Sequence, residues 1–299
     1  MNITVEKEIY LYDAEELKNL LSNCIQQHLD TDTYLWLEEK AVRVATENNA
    51  AQLNFTFAAV SRKTGRKIIT VNAGQKKQLH SILPGFTINE RPLHRLCRIW
   101  ILLQVNADEK NHYFTKIDSL FKNAEMNELA DLYAALPVFA YPEMWVKRCA
   151  EGIRSNIGIV LDAIMYGNPY PAEHLDEAAW NQMVLKAFFT DKDVNRIIGL
   201  DEKANAQLAA TLIDYAHERW AAQRAVNILL WRLVGKFIDK NNFADIEHVF
   251  GSDDIISKRA AALTCAQSDY GPAKNLLDSV PELKNEIIEN KLNWINLNS

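Results

Sequence analysis

The chain is poor in the two residues that break helices. Glycine (10) and proline (8) make up about 6% of its 299 residues, roughly half of the ~12% usual in soluble proteins. Helices are therefore expected to dominate. Cysteine is scarce as well. Cys24, Cys97, Cys149 and Cys265 are widely spaced and form no CxxC pair, which disfavours a zinc ribbon or a thioredoxin-like redox site. Cys97 and Cys149 fall in helical apolar patterns, where a free thiol usually behaves as a small core residue. Long apolar runs are missing: stretches such as IWILL at 99–103 fall far short of the ~20 residues that cross a bilayer. No basic-then-apolar leader opens the sequence, so a secretory signal is not expected, and a cytoplasmic location without membrane insertion is. A basic excess is lacking too. The formal charge of −6 and pI near 5.7 argue against a nucleic-acid partner. GxGxxG, GxxxxGK[ST], HExxH, GxSxG and DxDxDG are all absent, so neither cofactor nor metal is expected.

What is present is a soluble, globular composition, 48% hydrophobic and 24% charged, with a 3.6-residue periodicity through most of the chain. It predicts helices near 13–29, 32–49, 74–82, 92–105, 109–123, 126–136, 143–166, 173–190, 203–223, 225–239, 253–266, 271–279 and 282–296. Asp13, Asp32 or Thr33, and Ser252 or Asp253 supply start signals. Strand candidates are limited to ITVEKEIYLY near the start and KIITV at 67–71, and SRKTGRK at 61–67 reads as a basic loop. The expected fold is all-α: stacked helical hairpins, forming a HEAT-like α-solenoid or right-handed superhelix. One α-helical domain spans 1–299, with a less regular part at 1–70 and a repeat-like body at 74–299.

Several polar residues sit where helical geometry expects apolar ones. In YGNPYPAEHLDEAAWNQMVLKAFF, Trp180, Val184, Ala187 and Phe188 share a face, and Asn181 falls inside that apolar sector. It either ties down a neighbouring loop or points into a ligand cavity; the first reading is preferred. Lys186 falls beside Gln182 on the less apolar side, toward water. The NPYP turn ends one helix and aims Tyr170 between two prolines, with Asn168 placed to cap a backbone group. That turn is either the rim of a pocket or simply a corner. In LAATLIDYAHERWAAQRA, Leu208, Leu212, Tyr215 and Ala216 define an apolar stripe with Arg219 in its middle, where a guanidinium needs a carboxylate, carbonyls or an anionic ligand. His217 lies beside Asp214, on a side expected to face solvent. In ERPLHRLCRIWILLQ, Arg91, Arg95 and Arg98 form one ridge with His94 alongside. Three cations on a ridge call for an acidic partner, either carboxylates in an internal network, slightly preferred, or a phosphate or carboxylate ligand. Arg154 and Asn156 flank the stripe of Ile153, Ile157 and Val160. If these helices met, the residues would line a polar cavity.

The combination RSNIGIVLDAIMYGNPYPAEHLDEAAWNQMVLKAFF, followed by IIGLDEKANAQLAATLIDYAHERWAAQRAVNILLWRLVGKF, resembles the EboA family, the signature proteins of a small bacterial gene cluster classed with metabolite traffic. The resemblance is densest over 126–240, through the words NPYP, NQMVLKA, DYAHERWAAQR and WRLVG. It implies a soluble component of secondary metabolism, encoded beside a prenyltransferase-like membrane protein, a dehydroquinate-synthase-like enzyme, a sugar-phosphate-isomerase-like barrel and hydrolases. The expected partners are thus a small-molecule metabolite or enzymes of the same cluster. Three readings follow. The first is a binding protein holding a polar or anionic metabolite, or a partner enzyme, on a concave helical surface. The second is an enzyme acting on an anionic sugar- or cyclitol-like intermediate, with Arg95, Arg98, Asn181 and Arg219 lining the site and Lys186 or His217 as acid or base. The third is a HEAT-like scaffold. The first is preferred.

Overall fold

A computed structural model describes residues 9–297 of the chain. Its helices are α1 (Ala14–Gln26), α2 (Thr31–Glu47), α3 (Ala50–Thr64), α4 (Ala73–Ile82), α5 (Leu93–Leu102), α6 (Lys110–Asn123), α7 (Met126–Ala134), α8 (Val146–Arg154), α9 (Gly158–Met165) and α10 (Tyr170–His174). They continue with α11 (Glu177–Phe189), α12 (Ala206–Ala221), α13 (Phe243–Phe250), α14 (Ile255–Ala266), α15 (Gly271–Asp278) and α16 (Pro281–Ile288). The protein is all-α. Among the described residues the strands are β1 (Ile68–Ile69) and β2 (Arg91–Pro92), paired antiparallel with Ile69 opposite Arg91. The KIITV segment thus supplies one short strand, whereas the N-terminal candidate begins at position 3 and lies mostly outside the described residues.

The chain divides into two compact units at Asp176/Glu177. In the first, α5 is the central element: Leu93 through Leu102 are all buried except Arg95, which is half-buried, and α1, α2, α3 and α7 pack on it. α7 in turn packs on α9. In the second unit α14 has the central place, with Ala260, Ala261 and Ala262 fully buried and α13, α15, α16 and the turns at 228–237 against it. Small residues there let neighbouring backbones come close. Gly235 shows how close, since an added Cβ would lie 2.8 Å from the Thr264 carbonyl.

The local signals explain most boundaries. Asp13 caps α1, accepting from the Glu16 N–H at 2.9 Å. The α2 cap is Asp30, not Asp32 or Thr33, and the α14 cap is Asp254, not Ser252 or Asp253; each accepts a backbone N–H three residues on. The continuous helix expected over 143–166 is broken, because Asn156 adopts a left-handed φ of 57° between α8 and α9. The helix expected over 225–239 is a pair of 3-10 turns, Ile228–Leu233 and Gly235–Phe237, in keeping with the close approach at Gly235. Three helices were not anticipated, among them the one-turn α10 over the NPYP segment, where Pro169 takes a helical conformation. α3 buries Leu53, Phe57, Val60 and Thr64 at helical spacing and consumes half of the supposed 61–67 loop. α13 is a short helix of 8 residues preceded by Asn242 and followed by Gly251.

Candidate functional site

The arginine ridge of α5 meets acidic partners from α7. Helical spacing puts Glu128 and Asp131 on one face of α7, and that face is turned to α5. The Arg95 Nε donates to Asp131 Oδ1 at 2.7 Å, and the Arg98 guanidinium donates to Asp131 Oδ2 at 2.8 Å and to Glu128 Oε1 at 3.0 Å. Arg98 Nε also donates to the Phe57 carbonyl at 2.9 Å, and the guanidinium lies 4.8 Å over the Phe57 ring. Asp131 is fully buried and Arg98 is 2% exposed, so neither charge could be held there without the other. Arg91 departs from the group: it donates to the Tyr166 carbonyl at 2.5 Å. The preferred reading of the ridge, an internal network, describes Arg95 and Arg98.

His94 lies on the same side. Its Nε2 is 3.5 Å from Asp131 Oδ2, and its Nδ1 is buried. Burial pushes the imidazole pKa below its ordinary value; Asp131 and the Gly65 carbonyl act in the opposite sense, and Arg98 and Arg95 add to the depression. The ring is thereby held toward its neutral form.

Above His94 and Arg98 opens a cleft of about 540 Å³. One wall is the end of α3 and the segment after it, contributing Arg62 and Arg66, which are exposed and form no ion pair among the described residues. The opposite wall is the α6–α7 junction, with Asn123, Glu125, Asn127 and Glu128. Glu128 is committed twice, to Arg98 and to the Glu125 N–H at 3.1 Å. The cleft thus has a neutralised floor, two available guanidiniums and two amides, an arrangement suited to an anionic group attached to a hydroxylated body. Arg62, Arg66, Asn123, Asn127 and Asp131 were not singled out from the sequence. The readable signals were the basic SRKTGRK segment and an aspartate in the otherwise apolar run LADLYAAL.

On the other side of α5, Arg91, Arg95, Thr87, Gly167 and Asn168 border a cavity of about 10 Å³, room for one water. Here the residues of the NPYP corner are tied to backbone carbonyls. Asn168 is 3% exposed and donates to the Tyr133 and Ala163 carbonyls at 3.1 and 2.9 Å, while its oxygen accepts the Tyr170 N–H at 3.1 Å. Tyr170 is fully buried and donates to the Pro142 carbonyl at 2.6 Å; burial raises its pKa strongly. Arg154 and Asn156 are exposed where α8 gives way to α9.

In the second unit the awkward residues have local partners. Asn181 and Asn205 form a reciprocal amide pair, at 3.1 and 2.8 Å, and Asn205 simultaneously caps α12 through the Leu208 N–H at 2.8 Å. Asn181 therefore ties down the start of the next helix. Lys186 is half-buried, not water-facing, and desolvation lowers its pKa. Arg219 finds a carbonyl where a carboxylate was one possibility: its Nε donates to Ala225 O at 2.9 Å, with the guanidinium 6.0 Å over the Tyr215 ring. Tyr215 itself packs on Phe189 at 4.6 Å. His217 is exposed, but its partner is Asp245 on α13, at 2.7 Å, and not Asp214.

Nothing among these groups assembles a nucleophile with its base. The four thiols are buried, and burial pushes Cys97 and Cys265 up to about 12 and raises Cys24 and Cys149 as well, against thiolate formation. Among the described residues no three His, Cys, Asp or Glu side chains are grouped to hold a metal ion, and no helix is long and apolar enough to cross a membrane.

Fold and site together define an all-α protein with polar clefts. The sequence model of one family, described as Metabolite traffic protein EboA, matches residues 17–235. That is well over half of the chain, which therefore belongs to the EboA family. No curated protein and no solved structure matches it.

Proposed function

We propose that this chain is a cytoplasmic component of a bacterial secondary-metabolite pathway that binds a small hydroxylated anion in the cleft over His94 and Arg98. The family description supports a role in metabolite traffic. The observation that carries the reading is the pairing state of the arginines. Arg95 and Arg98 are consumed by Asp131 and Glu128, whereas Arg62 and Arg66 reach the same cleft without an acidic partner. A guanidinium pair at the mouth of a polar cleft recognises a phosphate or carboxylate, and Asn123 and Asn127 provide hydrogen-bonding capacity for hydroxyl groups. Binding without turnover is favoured over an enzyme because Arg95, Arg98, Asn181 and Arg219, the residues of the enzymatic reading, each have an internal partner. The successive packing of α13 on α14, α14 on α15 and α15 on α16 supports a HEAT-like hairpin stack in the second unit, available to a partner enzyme of the same pathway.

A thermal-shift screen with sugar phosphates, cyclitol phosphates and their unphosphorylated parents tests the proposal. A ligand at a hundredfold its Kd stabilises the folded chain by about 2.7 kcal/mol, a rise of several degrees in Tm. The rise is expected with the anions, not with the neutral parents, and is lost in Arg62→Ala/Arg66→Ala. An equal rise in that variant refutes the site. Silence across the panel, with a partner enzyme still captured, supports the scaffold reading instead.

A further inference from the structure

A second pocket, of about 310 Å³, lies wholly within the second unit, bordered by the end of α12, the connection after it, α13 and the start of α14. That volume is at the lower end of the ~300–1,000 Å³ usual for small-molecule sites. Much of its wall is aromatic and apolar, formed by Trp220, Trp231, His248 and the half-buried Val226 and Ile228. Trp220 is itself half-buried. Its indole stacks on Trp231 at 5.8 Å between centroids, and His248 meets it edge-on at 4.6 Å.

Two polar groups complete the lining. Trp231 is 1% exposed, and its Nε1–H donates to no group among the described residues. Unlike Trp180 Nε1, it is not sealed inside the chain. The little of Trp231 that reaches the surface therefore includes its one donor, in the pocket that the ring lines. A buried indole normally hands its N–H to an acceptor; here the position is open to one from outside the chain. The second group is Asp254, which is exposed and forms no ion pair among the described residues. Its Oδ2 accepts the Ser257 Oγ–H at 2.7 Å and the Ser257 N–H at 2.8 Å. These bonds hold its carboxyl below the usual carboxylate range, so it is ionised at neutral pH, with lone pairs left for a further donor. An anion would meet that charge without compensation, and a simple cation would leave the indole donor unused. A neutral flat ring with an acceptor and a donor on its edge suits the aromatic wall and both polar groups.

We infer that this pocket binds a small neutral nitrogen heterocycle of the nucleobase type, as the free base or its nucleoside. The ring packs against Trp220 and His248, an acceptor on its edge takes the Trp231 Nε1–H, and a neighbouring N–H donates to Asp254. Stacking on an indole tolerates any flat heterocycle; the donor and acceptor of the edge do the selecting. This site is independent of the cleft over His94.

The test is a titration of the full-length ¹⁵N-labelled chain with adenosine, guanosine, cytidine and uridine, one at a time. The readout is the Trp231 indole resonance, assigned as the one lost in Trp231→Phe. At least one nucleoside is expected to shift it saturably at millimolar concentration. Blocking the donor of that nucleoside by N-methylation, as in adenosine dimethylated on its amine, weakens binding about fivefold, the loss of one hydrogen bond. Trp231→Phe keeps a buried ring, removes the N–H and costs a similar factor, read on the Trp220 resonance. Trp220→Leu, at a half-buried position, costs about tenfold through lost stacking, whereas Arg62→Ala/Arg66→Ala leaves affinity unchanged. A Trp231 resonance that stays still for the whole panel overturns the assignment. So does an N-methylated nucleoside that binds as tightly as its parent, a monophosphate that binds more tightly than its nucleoside, or affinity unchanged in both tryptophan variants.

Discussion

Asp131→Asn is the perturbation that separates a buried ion network from an ordinary surface pairing. The native carboxylate is fully buried and accepts from Arg95 at 2.7 Å and from Arg98 at 2.8 Å, with His94 Nε2 at 3.5 Å. The amide keeps the shape but removes the charge and presents an NH2 group toward one of the two guanidiniums. Arg98, at 2% exposure, then retains Glu128 as its one carboxylate partner, beside the Phe57 carbonyl. Breaking a buried pair from one side costs about 3–5 kcal/mol, because the remaining charge stays desolvated. The internal comparison is Glu143→Gln. Glu143 pairs with Lys110 at 2.6 Å, but the two side chains are 40% and 43% exposed, and an exposed pair contributes at most about 1 kcal/mol. Urea unfolding of both variants, with the midpoint read at unchanged slope, should give a several-fold larger loss for Asp131→Asn. Adding Arg98→Met should cost less than the sum of the two single changes, since it removes the stranded charge. If Asp131→Asn costs no more than Glu143→Gln, the network is not what holds α5 to α7, and the case for Arg62 and Arg66 as the only uncommitted guanidiniums of the cleft loses its premise.

Two further outcomes follow from burial. The folded-state pKa of His94 lies below its ordinary 6.5, so on acidification the unfolded chain takes up a proton first; stability is expected to fall as pH drops through about 6.5 and to level off below the folded pKa. His94→Gln should flatten that part of the stability–pH curve, and an unchanged slope would assign it to another group. The second outcome concerns the four buried thiols, with Cys97 and Cys265 raised to about 12. An aromatic disulfide reagent should label none of them rapidly at neutral pH in the native state and all of them in denaturant; a fast-reacting native thiol would contradict the packing.

Much of the fold can be read in the residues themselves. The shortage of glycine and proline, the 3.6-residue periodicity and caps such as Asp13 are local properties, and most of the helices they predict are present, though sometimes cut short or split. α3 was legible in the same terms: Leu53, Phe57, Val60 and Thr64 fall on one face, but the basic residues at its end drew attention to a loop. The break at Asn156 and the 3-10 turns around Gly235 were less accessible, because a left-handed residue and a close backbone approach depend on what lies across from them.

The sequence by itself determined that this is an all-α protein of the EboA family, and which polar residues needed partners. Only the tertiary structure decided which partners they have. Asp131 neutralises Arg95 and Arg98, Asn205 answers Asn181, and the Ala225 carbonyl answers Arg219. The physical reason is that burial obliges a charge or amide to be satisfied without specifying by what. Sequence spacing resolves faces of one helix; pairing depends on the approach of another. Among the described residues the same approach leaves Arg62 and Arg66 without an acidic partner, and those two groups mark the candidate cleft.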